Sequence, residues 1–133
     1  MFGRVLELLL PQACIGCGHP GARLCDPCLG IDPARRMPRP APRGLPACWS
    51  AAPYDGAVRR AIVAYKERGE AALAAVLADA LAYTLTRAIP TGPLSVVPVP
   101  SARKALRARG HDPVGALAAL AVRRLGERAR LLP

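Results

Sequence analysis

Four of the five cysteines stand in two Cys-x-x-Cys pairs, Cys14-Ile-Gly-Cys17 and Cys25-Asp-Pro-Cys28, with seven residues between the pairs. Each such turn can bring two thiolates onto one ion, and Gly18 behind the first pair permits the left-handed backbone that a metal knuckle needs. Two turns supply four sulfurs. That closes a tetrahedron and leaves no position for water, so the pattern predicts a structural zinc site and not a hydrolytic one. A thioredoxin-like redox centre would need a single Cys-x-x-Cys between a strand and a helix, and two disulfides would need an oxidising compartment. His19 could stand in for a cysteine, yet none is missing. Cys48 sits alone beside Trp49 and reads as a packed thiol.

A second group of residues could bind anions. Ser101, Arg103, Lys104, Arg107, Arg109 and Gly110 follow a short apolar run, with four cations and no acid between 103 and 110. Arginine grips phosphate oxygens through two parallel N–H bonds, and a glycine lets backbone approach a ligand closely. Loops beyond the carboxyl ends of strands are where open α/β sheets bind ligands, and Ser101 could cap a short helix or donate to an oxyanion. The plainer alternative is a solvated helix face, because 103, 104 and 107 also fall at helical spacing. The whole chain carries a formal charge of +10 from 19 basic and 9 acidic side chains, which favours polyanionic partners or simply marks an arginine-rich surface.

The elements that must position these groups follow from composition. Hydrophobic residues make up 52% of the 133, while aromatics make up only 4%, so the core should be helical and built from Ala and Leu. Residues 1–31 read as a short helix, with Val5, Leu6, Leu9 and Leu10 on its apolar face, leading into the cysteine cluster. Glu7 and the Pro11-Gln12 step argue against a signal peptide. Residues 32–53 hold six prolines together with Arg35, Arg36, Arg39 and Arg43, and predict an extended basic tether ending in a short edge strand over Ala47–Ala52. Residues 54–133 should form two helices, the first carrying Val58, Ile62 and Tyr65 up to Gly69 and the second carrying Leu73, Leu77, Ala80 and Leu81. A strand over 94–100, buried on both faces, comes next, and then a helix started by Asp112-Pro113. No run reaches the ~18 consecutive apolar residues of a spanning helix, so no membrane span is expected. The protein is therefore expected in the cytoplasm, where thiols stay reduced and cysteine pairs favour metal over disulfides.

Several segments together resemble the ComF family of phosphoribosyltransferase-like proteins. They are Leu8-Leu9-Leu10-Pro11 running into the cysteine pairs, Tyr54-Asp55-Gly56-Ala57-Val58-Arg59-Arg60-Ala61-Ile62, Tyr65-Lys66-Glu67-Arg68-Gly69, Val96-Val97-Pro98-Val99-Pro100 and Arg107-Ala108-Arg109-Gly110-His111-Asp112. The resemblance implies a zinc ribbon followed by a type I phosphoribosyltransferase fold, an α/β architecture of mainly parallel sheet flanked by helices. The segment after the 96–100 strand would then face phosphoribosyl pyrophosphate, with Lys66 as a further phosphate contact, and single-stranded DNA or competence proteins become candidate partners. The family more often has Phe-Asn where this chain has His111-Asp112. Its downstream Asp-Asp strand end and Thr-Thr-Gly loop, which hold the ribose phosphate and magnesium, have no counterpart here. The chain therefore reads as an incomplete, helix-dominated domain, inactive by itself, with magnesium expected only in a complete domain. The alternative is a zinc-ribbon module that binds nucleic acid through its arginine-rich linker.

Overall fold

A computed structural model describes residues 12–133; the expected apolar helix face of Val5, Leu6, Leu9 and Leu10 lies outside the described residues. Backbone in the left-handed region at Gly18 (φ 76°) turns the first cysteine pair, and an antiparallel bridge joins Ala13 to Pro20. Helix α1, Asp26–Leu29, starts at Cys25 with Pro27 in its first turn. Pro27 loses no hydrogen bond there, because the first N–H groups of a helix have no partner within it.

The stretch expected to be a free tether folds back on itself. Strand β1, Ala34–Arg35, pairs antiparallel with β2, Trp49–Ser50. Arg36 secures the return by donating to the Ser50 carbonyl at 2.8 Å, the Ser50 Oγ at 2.9 Å and the Asp32 carbonyl at 2.9 Å. Proline keeps the intervening chain out of helix, but it does not prevent a two-residue ladder whose donors come from neighbouring residues.

Helix α2, Gly56–Arg68, ends where Gly69 adopts the left-handed cap. A 3₁₀ turn, Ala71–Leu73, leads into helix α3, Ala74–Ala88. The stretch Ala71–Ala88 is long and apolar enough on average to cross a membrane, with a mean hydropathy of 1.3. Asp79 and Arg87 interrupt its apolar run, and Leu77, Ala78, Ala80 and Ala82 are buried inside the protein.

The strand expected over 94–100 is shorter than its sequence promised. Strand β3 covers Leu94–Val96, and Val97 and Val99 are 61% and 78% exposed. Pro98 and Pro100 have no N–H to extend a ladder. The expectation of burial on both faces also fails, since Leu94 points inward while Ser95 is exposed. Residues 103–109, read as a phosphate loop or alternatively as a solvated helix face, form helix α4, Arg103–Arg109. Helix α5, Pro113–Leu125, begins as expected, with the Asp112 carboxylate accepting from the Gly115 N–H at 3.1 Å. After a 3₁₀ turn, Gly126–Arg128, strand β4, Ala129–Leu131, pairs parallel with β3, placing Leu94 opposite Ala129 and Val96 opposite Leu131.

The described chain is thus helix-rich, with two small two-stranded sheets, one antiparallel and one parallel. Helices α3 and α5 pack against each other more extensively than any other pair of elements. One core runs from the cysteine cluster into the helices: Cys14, Leu24 and Leu29 share it with Ala61, Ala64, Tyr65, Leu73, Leu77 and Ala80. Alanine dominates where helices meet, so backbones approach closely and the few large side chains, such as Leu73, fill what remains.

Candidate metal centre and the basic segment

The two Cys-x-x-Cys turns converge. The Sγ atoms of Cys14, Cys17, Cys25 and Cys28 all lie within 4.8 Å of one another, so the cluster could hold a metal ion. Four sulfurs about 2.3 Å from a central ion would stand about 3.8 Å apart, a spacing set by the tetrahedron. The Cys17–Cys25 separation is 3.7 Å, which is compatible with zinc.

Backbone hydrogen bonds shape the cluster. The Cys14 N–H donates to the His19 carbonyl at 2.9 Å, and the Ile15 N–H to the Arg23 carbonyl at 2.8 Å, which clamps the two turns side by side. The Cys14 sulfur accepts from the Gly16 N–H at 3.3 Å and the Cys25 N–H at 3.4 Å. The second glycine of the cluster, Gly16, serves packing and not backbone conformation. A Cβ there would meet Cys28 Sγ and Ala57 Cβ, each at 2.8 Å.

Electrostatics in the cluster call for a cation. The N–H groups of Cys25 and Cys17 stabilise the Cys14 thiolate and pull its pKa down to about 6. Interaction with the Cys25 thiol and then the Cys17 thiol pushes Cys28 up to about 12. Four crowded thiols cannot all ionise without a positive charge between them, and a divalent ion held there would supply it. His19 is exposed and outside the cluster, and Cys48 also stands apart from it.

A clamp that the sequence did not disclose joins this cluster to the helices. Arg23 donates from Nε to Glu70 Oε2 at 2.8 Å and from its terminal nitrogens to Glu70 Oε1 at 3.1 Å and the Ala13 carbonyl at 3.0 Å. The Arg23 guanidinium in turn holds the Glu70 carboxyl below its ordinary pKa. Forty-seven residues separate the partners, and no local pattern marks a pair so distant.

The predicted anion contacts fall into two sets. Arg103, Lys104 and Arg107 are exposed along α4, a helix that buries none of its residues. Ser101 is half-buried and makes no cap, the N-cap position being Ala102. Gly110 is the left-handed C-cap of α4, its N–H bonded to the Leu106 carbonyl, so its conformation is spent on ending the helix. Arg109 folds across to α2 and binds the Glu67 carboxylate through two nitrogens, at 2.6 and 3.3 Å. Arg109 and Lys66 line one open cleft with Arg68 and His111, beside the C-terminal ends of α2 and α4. Cations there also complement the partial negative charge of helix C-termini. The structure therefore brings Lys66, Arg109 and Gly110 into one neighbourhood and leaves 103, 104 and 107 along an open helix.

No family profile, curated protein or solved structure matches this chain.

Proposed function

We propose that the chain is a ComF-like, phosphoribosyltransferase-domain protein in which a structural zinc ion, held by Cys14, Cys17, Cys25 and Cys28, locks the front of the fold. In this reading the segment after β3 binds phosphoribosyl pyrophosphate or a related phosphate. The observation that carries it is the β3–α4–α5–β4 arrangement. Two parallel strands joined through helices form the smallest unit of an α/β sheet, and residues 97–102 leave β3 at its carboxyl end, where such sheets bind ligands. Arg103 and Lys104 begin the helix that follows directly.

Catalysis at an anomeric carbon needs magnesium and diphosphate held together electrostatically. The acidic residues for that are absent from this sequence, so binding without turnover is expected, with the protein acting in the cytoplasm in DNA uptake or nucleotide metabolism. Isothermal titration with phosphoribosyl pyrophosphate and magnesium tests the proposal. It predicts saturable binding that weakens about ten-fold when Arg103 and Lys104 are both changed to alanine, the scale of one lost charge-assisted contact. Absence of binding, or identical affinity in the double variant, would remove the phosphate assignment.

A second reading, a nucleic-acid module, has one observation in its favour. Arg36 is consumed by the β1–β2 return, but Arg35, Arg39 and Arg43 are exposed and make no ion pair among the described residues. Single-stranded DNA binding that falls steeply with salt, and falls further when these three are neutralised, would favour it. Few aromatics are available for base stacking, so affinity should be almost wholly electrostatic.

A further inference from the structure

A groove of about 360 Å³ opens where α1, β2, α2, α3 and α5 meet. Its wall includes Trp49, Tyr54, Ile62, Leu77, Leu81 and Val114. Three of the polar side chains that reach this wall are already bonded within the protein, whereas the Tyr54 hydroxyl and the Trp49 indole N–H have no partner among the described residues. Tyr65 donates its hydroxyl to the Pro113 carbonyl at 2.8 Å, Thr84 donates to the Ala80 carbonyl at 2.8 Å, and the Ser50 hydroxyl accepts from Arg36. Whatever fills the groove therefore meets mainly hydrocarbon and aromatic surface with no charged group in its wall.

Lys66 is the exception. It lines this groove and also the cleft shared with Arg68, Arg109, His111 and Glu67, whose carboxylate is paired with Arg109, and it makes no hydrogen bond or ion pair among the described residues. An ammonium at the edge of an apolar surface, facing a second basic cleft, selects an anion joined to an apolar body. A purely apolar molecule would leave the ammonium without a partner, and a free inorganic anion would leave the groove wall wet.

We propose that this groove is a binding site for a small amphiphilic anion, its apolar body lying between α2, α3 and α5 and its anionic head on Lys66. None of residues 97–104 lines the groove, so the apolar part of the site does not depend on the phosphoribosyl reading, although Lys66 is shared with the phosphate contacts which that reading implies. Each methylene group moved from water into the groove should raise affinity about four-fold, which makes chain length the main determinant of affinity and the head group the determinant of selectivity.

Trp49 is the one tryptophan of the chain and lies in the groove wall, so its emission reports occupancy directly. The full chain, loaded with zinc, is titrated with octyl phosphate below its aggregation threshold, with octanol, and with inorganic phosphate. Octyl phosphate should shift Trp49 emission saturably and bind about ten-fold more tightly than octanol, as one charge-assisted contact predicts. Inorganic phosphate should leave the emission unchanged. Lys66→Gln should erase the preference for octyl phosphate while octanol binding persists. Val114→Phe, which fills the half-buried wall, should weaken both, with a thermal melt confirming that the variant is folded. The proposal is overturned if octyl phosphate gives no saturable shift, or if Lys66→Gln leaves its advantage over octanol intact. It is equally overturned if Trp49 emission changes with protein concentration alone, or if octyl phosphate shifts it only after residues 1–11 are removed. Those results would assign the groove to a second copy or to the chain's own first eleven residues.

Discussion

The four thiols differ in how they can be lost. Cys14 is buried and accepts two backbone N–H bonds, while Cys17 is exposed at the cluster's edge. Replacing Cys14 with serine should therefore abolish stoichiometric zinc and leave the chain poorly folded, read by metal analysis and circular dichroism under reducing conditions. A Cys14→Ser protein that still held one zinc per chain would refute the four-sulfur site. Gly16→Ala is a second probe. Its new methyl would press on Cys28 Sγ and Ala57, so zinc should bind at least about ten-fold more weakly, a cost typical of overpacking. At the Arg23–Glu70 clamp, Glu70→Gln removes the charge but keeps the shape, and should cost about 2 kcal/mol at neutral pH. The Glu70 carboxyl is held below its ordinary pKa, so its contribution is complete above about pH 4.3 and disappears as pH falls through the lowered folded value. The gap in melting temperature between wild type and Glu70→Gln should accordingly be constant from pH 5 to 7 and close under more acid conditions. A gap that instead widened with acid would contradict this assignment.

Elements of the same length are held in unlike ways. Helices α2 and α5 are both thirteen residues long and both begin after an aspartate, yet only Asp112 of the two accepts a capping bond; Asp55 makes none. Asp112→Ala should cost about 1 kcal/mol, and Asp55→Ala only a few tenths, measured as denaturant midpoints. Equal effects would mean that the Asp112–Gly115 bond contributes nothing. Helix α4 is the outlier, because it buries no residue, and the Arg109–Glu67 pair is its long-range ionic tie to α2. Arg109 is 19% exposed and Glu67 52%, so the pair is a surface contact of small net stability whose worth lies in placing the basic helix. Hydrogen exchange over 103–110 should rise in Glu67→Gln while α3 and α5 keep their protection. Unchanged exchange in α4 would show that other contacts position it.

At the scale of the molecule, the cysteine cluster is not an appendage. Cys14, Leu24 and Leu29 lie in one core with Ala61, Tyr65, Leu73 and Leu77, and Arg23 fastens the cluster to Glu70 across the same seam. A strong zinc chelator should thus melt α2 and α3 along with the knuckle, seen as one cooperative loss of helical signal. A chelated protein that kept its helices would separate the two parts. The four-cysteine cluster was legible in the sequence because its information is local: cysteine spacing and a glycine turn suffice to bring four sulfurs together. The helix stop at Gly69, the cap at Asp112 and the helices α2, α3 and α5 were legible for the same reason, since each depends on residues within a turn or two. What the sequence left open depended on partners far along the chain. The 94–100 run has strand composition throughout, but two prolines and a single neighbouring strand limit it to three residues. The proline-rich segment looked like a tether until Arg36 met Ser50 and Asp32. The basic run was open to both a loop and a helix reading, and tertiary structure gave Arg109 to Glu67. Local backbone preferences are written in neighbouring residues, whereas ion pairs such as Arg23–Glu70 and the apolar groove around Trp49 exist only after distant segments have been packed side by side.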